Sequence, residues 1–261
     1  MQQPRMTTWR WMIVVALVAF ALAFWQADSG GNPWQSACSV TFSPDGRTLA
    51  AGLYCGTFFN QNVHWCIGDI GQTVALFDAQ AGTSQGVLES VRYRGAIWGL
   101  PSTPLGQFLD FSPDGLTLAT GTWDGNVKLW APATGQLTSI LRTQFRRVRA
   151  VTFLSDGRRL AVVIQQDSVT LLDPANPGAS KRFDSGAGVQ SISISPDSKL
   201  IAFGSEHSYH GAELWPVTGT FWKSCIPITQ DGVLALQFGS NGRFLAMGGD
   251  ETAQLWDLAG K

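Results

Sequence analysis

Leu109-Asp110-Phe111-Ser112-Pro113-Asp114-Gly115, followed by Leu118-Ala119-Thr120-Gly121 and then Leu129-Trp130, decides how this chain folds. A strand-like run enters a tight corner, a second apolar run leaves it and ends in small residues, and a third ends in Leu-Trp. Pro113 presets φ at the first corner position, Asp114 bonds its own backbone, and Gly115 accepts a positive φ. The two runs therefore reverse sharply into antiparallel strands.

The same grammar occurs five times, with its corner Asp or Asn at positions 45, 114, 156, 197 and 241. The other copies are Val40-Thr41-Phe42-Ser43-Pro44-Asp45-Gly46, Val151-Thr152-Phe153-Leu154-Ser155-Asp156-Gly157, Ile192-Ser193-Ile194-Ser195-Pro196-Asp197-Ser198 and Leu236-Gln237-Phe238-Gly239-Ser240-Asn241-Gly242. Their second runs begin at Leu49, Leu160, Ile201 and Leu245, and their third runs end at Leu76-Phe77-Asp78, Leu171-Leu172-Asp173, Leu214-Trp215 and Leu255-Trp256-Asp257. Four corners are spaced within the period of about 40–45 residues expected for a four-stranded propeller blade; only the first step is longer.

These motifs resemble the WD-repeat family of β-propellers, of bacterial type, over roughly residues 34 to 261. The resemblance implies an all-β propeller of about five four-stranded blades, each with a second strand kept thin by Gly or Ala near a crowded axis. Family members often carry a Gly-His pair whose His joins a hydrogen-bonded tetrad with Ser or Thr, Asp and Trp. No such pair occurs here: His64, His207 and His210 stand elsewhere, whereas Asp124 with Trp130 and Asp250 with Trp256 match part of the pattern. Gln136 to Leu141 and Gly86 to Val91 read as outer strands. Behind Trp256 only five residues remain, so the last blade has no outer strand of its own, and an open edge there would suit strand addition by a partner.

The amino terminus has a different character. Trp11 to Trp25 carries no charge, follows Arg5 and Arg10, and precedes the polar stretch Gln26 to Gly31. Its uninterrupted apolar core is shorter than the roughly 20 residues that span hydrocarbon, a length that also suits a cleavable signal peptide. With Arg10 snorkelling and Trp9, Trp11 and Trp25 at the interfaces, the segment reads as an uncleaved signal-anchor helix. The expected organisation is a cytoplasmic end at 1–8, a transmembrane anchor at 9–26, a Gly-rich linker at 27–36 and a propeller at 37–261. Flanking arginines place the amino terminus in the cytoplasm and the propeller on the periplasmic side, beside lipid.

With 44% hydrophobic and 14% charged residues, the chain buries a sizeable core. A net charge of −1 gives no basic field for nucleic acid. Arg142, Arg146 and Arg147, with Arg149, form a local exception. They read as a solvated loop edge or as a contact for a lipid headgroup or acidic partner.

Four cysteines in an oxidising compartment allow three pairings, and Cys55 with Cys66 is the preferred bridge because both lie in the insertion Leu53 to Gln72 of the first repeat. Phe58, Phe59 and Trp65 make that insertion apolar. They either fold back as a local core or mark a partner contact. Cys55, His64 and Cys66 do not follow zinc or haem spacing, and His207 with His210 reads as a polar turn, so no metal and no cofactor is expected.

Catalytic motifs are equally sparse. Gly82-Thr83-Ser84-Gln85-Gly86 matches the nucleophile-elbow pattern, but it links two expected strands rather than a strand and a helix. The aspartates mostly belong to turns. The expectation is a membrane-anchored, non-catalytic interaction module, an accessory or assembly subunit of a respiratory, photosynthetic or transport complex, with no small-molecule substrate. A tethered propeller enzyme or ligand-binding protein would need titratable groups converging at the axial mouth. A cytoplasmic sensor would need the opposite orientation.

Overall fold

The computed structural model describes residues 35–56, 65–66, 70–93, 97–98, 108–122, 124–143, 148–164, 168–176, 180–184, 189–205, 212–218, 224–226, 233, 235–249 and 253–260. The chain divides into two compact units, Met1–Pro104 and Leu105–Lys261. Among the described residues no helix is long and apolar enough to cross a membrane. The expected anchor, with Trp9, Arg10, Trp11 and Trp25, lies outside the described residues.

The first unit holds one four-stranded antiparallel sheet and one short ribbon. Strands β1 (Gln35–Phe42), β2 (Thr48–Gly56), β4 (Ile70–Asp78) and β5 (Ser84–Tyr93) pair in that order, and β3 (Trp65–Cys66) pairs with β6 (Ile97–Trp98). The sequence expects an insertion from Leu53 to Gln72, yet β2 and β4 pair continuously from Thr48↔Asp78 to Gly56↔Ile70. Leu53-Tyr54-Cys55 continues the strand, so only residues 57–69 interrupt the ladder. Leu49, Ala51, Ala75 and Phe77 form the buried face of this sheet.

In the second unit β7 (Leu109–Phe111), β8 (Leu118–Gly121), β9 (Asn126–Ala131) and β10 (Gln136–Arg142) form the second repeat. The third is β11 (Val148–Phe153), β12 (Leu160–Ile164), β13 (Ser168–Leu172) and β14 (Lys181–Asp184). The fourth is β15 (Val189–Ile194), β16 (Leu200–Ser205), β17 (Ala212–Pro216) and β18 (Ser224–Ile226). Among the described residues the fifth holds three strands, β19 (Ala235–Phe238), β20 (Phe244–Gly248) and β21 (Ala253–Asp257). The second, third and fourth repeats are four-stranded antiparallel sheets consistent with propeller blades.

Within the second unit the third and fourth sheets bury both faces against their neighbours, which is why β12 and β16 are continuous apolar runs rather than alternating ones. Ala119, Val127 and Leu129 pack on Val151, Phe153 and Val162, and Ala161, Val163 and Leu171 pack on Ile192, Ile201 and Phe203. Ala202 and Ala212 pack on Leu236, Phe238 and Leu245 in the same way. Burying each large aliphatic or aromatic side chain contributes roughly 1.5–3 kcal/mol. The expectation of a thin second strand holds at Gly121 and Gly204: a Cβ at either would collide with the side chain of Val148 or Val233 from the following repeat.

The corners behave as their residues dictate. Ser43, Ser112 and Ser195 each donate Oγ–H to the Asp two residues on, at 2.6 Å, and each Oγ accepts the N–H of the residue five positions on, at 2.9 Å. These hydroxyl bonds are the chief reason the carboxyls of Asp45, Asp114 and Asp197 sit below their ordinary value. Gly46, Gly115, Gly157 and Gly242 take φ of 67° to 73°, and Ser198 holds the same place in the fourth repeat at φ 55°. Its side chain repays part of that strain by accepting the backbone N–H of Ser155 from the third repeat at 2.7 Å.

Candidate functional site

First strands in this architecture leave one edge unpaired, and β7, β11, β15 and β19 lie side by side with those edges adjacent. Their backbone N–H groups need acceptors from somewhere. The residue two positions before each corner supplies part of the answer. In sequence register it is Thr41, Asp110, Thr152, Ser193 or Gln237.

Between the fourth and fifth repeats Ser193 Oγ accepts the N–H of Phe238 at 3.0 Å, and Ser191 Oγ accepts that of Leu236 at 3.0 Å. Between the second and third repeats Asp110 takes the same role. Its Oδ2 accepts the N–H of Phe153 at 2.8 Å and the hydroxyl of Thr152 at 2.9 Å. Burial among the first strands pushes the Asp110 carboxyl up to about 6, and the bonds from Phe153, Thr152 and the Phe111 backbone only partly oppose it.

Asp110, Thr152, Ser193 and Gln237 converge on one recess of about 250 Å³ at the corner ends of the first strands, walled by Phe111 and Phe153 among others. This is where converging titratable groups would be sought, and it holds one carboxylate. Asp110 is a residue that sequence reasoning passes over, because aspartates in these repeats are read as turn residues. The signal was available: Asp110 stands where the other copies place Thr, Ser or Gln.

The tryptophans that end the third runs find separate acceptors. Trp130 Nε1 donates to Thr120 Oγ1 at 3.0 Å, Trp215 Nε1 to Glu213 Oε2 at 3.0 Å, and Trp256 Nε1 to Gln254 Oε1 at 3.2 Å. Trp215 also meets Phe183 edge-on and stacks on Phe203, with centroids 5.5 and 6.0 Å apart. Buried indoles are therefore satisfied without the family's His.

The sequence-predicted contact residues are not gathered at the recess. Cys55 lies in β2 opposite Gly71, and Cys66 lies in β3 opposite Ile97, next to the Trp65↔Trp98 pair. Phe58, Phe59 and His64 fall outside the described residues, as do Arg146, Arg147, His207 and His210. Arg142 is the exposed last residue of β10. Arg149, expected in a loop, is the bulged residue of β11, where the register shifts between Val148 and Ala150. Gly82 to Gly86 crosses the turn between β4 and β5, with Ser84 paired to Phe77, so the pentad is a hairpin connection as expected. Among the described residues no group of three or more His, Cys, Asp or Glu could hold a metal.

Residues 107–131 and 223–257 match the family model described as WD domain, G-beta repeat. Over 239 residues the chain is 29% identical to Telomerase protein component 1 of Rattus norvegicus and 28% identical to the protein of that name in Mus musculus. Each alignment covers 85% of this chain, and the chain spans 9% of the length of these relatives. A 97-residue stretch is 33% identical to WD repeat-containing protein SL1-17 of Schistosoma mansoni, covering 37% of this chain and 32% of that one. Two segments of the chain thus match WD40 repeats, and such repeats form protein-interaction modules.

Proposed function

We propose, with WD40 repeats as the premise, that this chain is a non-catalytic interaction platform and that its apolar segment Trp11 to Trp25 tethers it to a membrane as a subunit of a larger assembly. The carrying observation is the side-by-side packing of four first strands, which joins four repeats into one surface with a shaped polar recess at the corner ends. A surface assembled from several repeats recognises a partner through spaced contacts, whereas chemistry on a substrate needs a nucleophile, base and oxyanion donors within hydrogen-bond reach. The recess supplies one carboxylate and neutral hydroxyls.

The rat and mouse relatives are named as a protein component of telomerase, which supports a place in a multi-component assembly. The membrane tether rests on the uncharged run and its flanking Arg5 and Arg10, and the periplasmic side follows from the same charges. Leu116, 71% exposed in the second repeat's corner, offers a further apolar contact.

Fractionating cells that express the full chain, with a carboxyl-terminal reporter active only outside the cytoplasm, tests the tether and its orientation. Detergent extraction, chemical cross-linking and mass spectrometry test the assembly. The reading expects membrane-bound chain, an active reporter and stoichiometric cross-linked subunits. A monomer without co-purifying subunits contradicts it.

A further inference from the structure

Ser193 shows that an uncharged hydroxyl suffices to accept a first-strand N–H from the next repeat. Asp110 does the same work for Phe153 with a carboxylate, and its ionised form is disfavoured by burial. The charge is therefore more than the junction requires, and it lowers stability where the group is ionised. Groups that disfavour the fold in this way are retained at sites of function.

The recess that Asp110 faces is small. Its volume of about 250 Å³ falls below the roughly 300–1,000 Å³ of pockets that enclose drug-sized ligands, so it suits a single side chain or an amine of that size. Oδ2 is engaged by Thr152 and Phe153, and Oδ1 takes part in neither bond. Neutral oxygen atoms of Thr152, Ser193 and Gln237 share the lining, whose exposed surface is mostly polar. An ammonium presents three donors and no acceptor, which matches one carboxylate oxygen among neutral acceptors.

We propose that this recess binds a primary ammonium group, the side chain of a partner's lysine or a small free amine, with Asp110 as its counter-ion. The pairing compensates a charge that the fold alone leaves poorly solvated. It goes beyond the interaction-platform reading, because the ligand chemistry stands whether or not the chain belongs to an assembly. Protonation of Asp110 opposes binding, so affinity falls as pH drops through about 6. Around Asp110, strands β7, β8, β15 and β19 bring no other titratable side chain, and β11 brings Arg149. The neighbouring corners bring Asp114, Asp156, Asp197, Arg158, Arg159 and Lys199.

The test is calorimetric titration of the detergent-solubilised full chain at pH 8 with butylammonium, with the peptide Gly-Gly-Lys-Gly-Gly and with its acetyl-lysine counterpart. Saturable binding of butylammonium or the lysine peptide, none of the acetylated peptide, and at least tenfold weaker binding by Asp110→Ser support the site. Tighter binding of the peptide assigns the ammonium to a partner lysine, and tighter binding of butylammonium assigns it to a free amine. Equal affinity in Asp110→Ser, or no saturation by either amine, overturns the proposal. Should Asp110→Ser fail to unfold cooperatively, the parent chain at pH 5 decides: about tenfold loss relative to pH 8 supports the site, and unchanged affinity overturns it. Amine binding without cross-linked subunits would contradict the assembly and leave this site standing.

Discussion

The backbone N–H of Phe153 reaches Asp110 Oδ2 across 2.8 Å, so a carboxylate on the second repeat holds the first strand of the third. The corresponding bond from Phe238 ends on the hydroxyl of Ser193. The two junctions share a geometry and differ in charge.

Asp110→Asn keeps an oxygen acceptor and removes the ionisation. The folded carboxyl stands at about 6 against an ordinary 3.8, so the native state binds its proton more tightly than the unfolded chain does. Stability contributed by the protonated form is complete below pH 4 and is lost as pH rises to 6. Urea unfolding should show the variant more stable than the parent at pH 8, by up to roughly 3 kcal/mol, with the difference gone at pH 4.

Ser198 combines a strained φ of 55° with the bond from Ser155 N–H at 2.7 Å. Ser198→Ala keeps the strain and loses the acceptor, and should cost about 1 kcal/mol in thermal or urea unfolding. Ser198→Gly loses the same bond but relieves the backbone, so it should lie closer to the parent.

Gly121 must remain without a side chain, because its Cβ position is occupied by Val148. Gly121→Ala should cost about 1–3 kcal/mol through overpacking. The double variant Gly121→Ala with Val148→Ala should recover part of the loss, and a double-mutant cycle measures that coupling.

Thr170 lies buried in β13 with its hydroxyl lacking a hydrogen-bond partner. Thr170→Val replaces that oxygen with a methyl of similar shape. The variant should gain about 1 kcal/mol in unfolding free energy.

The repeats were legible because their corners are local chemistry. Pro113, Asp114 and Gly115 specify the reversal within four residues, and the apolar run from Leu118 has one way to be buried. The continuation of β2 through Tyr54 to Gly56 was not legible, since it depends on pairing with Ile70–Gln72 across an insertion. The role of Asp110 was equally hidden, because it meets Phe153 of another repeat at a separation no local pattern encodes.

Site-specific photo-cross-linking tests the central claim, that the recess is a contact surface for a partner. A photoreactive residue at exposed Gln237, on the recess, is compared with one at exposed Ile140, on the outer strand β10. In cells expressing the full chain, a discrete intermolecular adduct from position 237, absent from position 140 and lost in Asp110→Asn, is the predicted result. Equal labelling from both positions, or an adduct indifferent to Asp110→Asn, would contradict it.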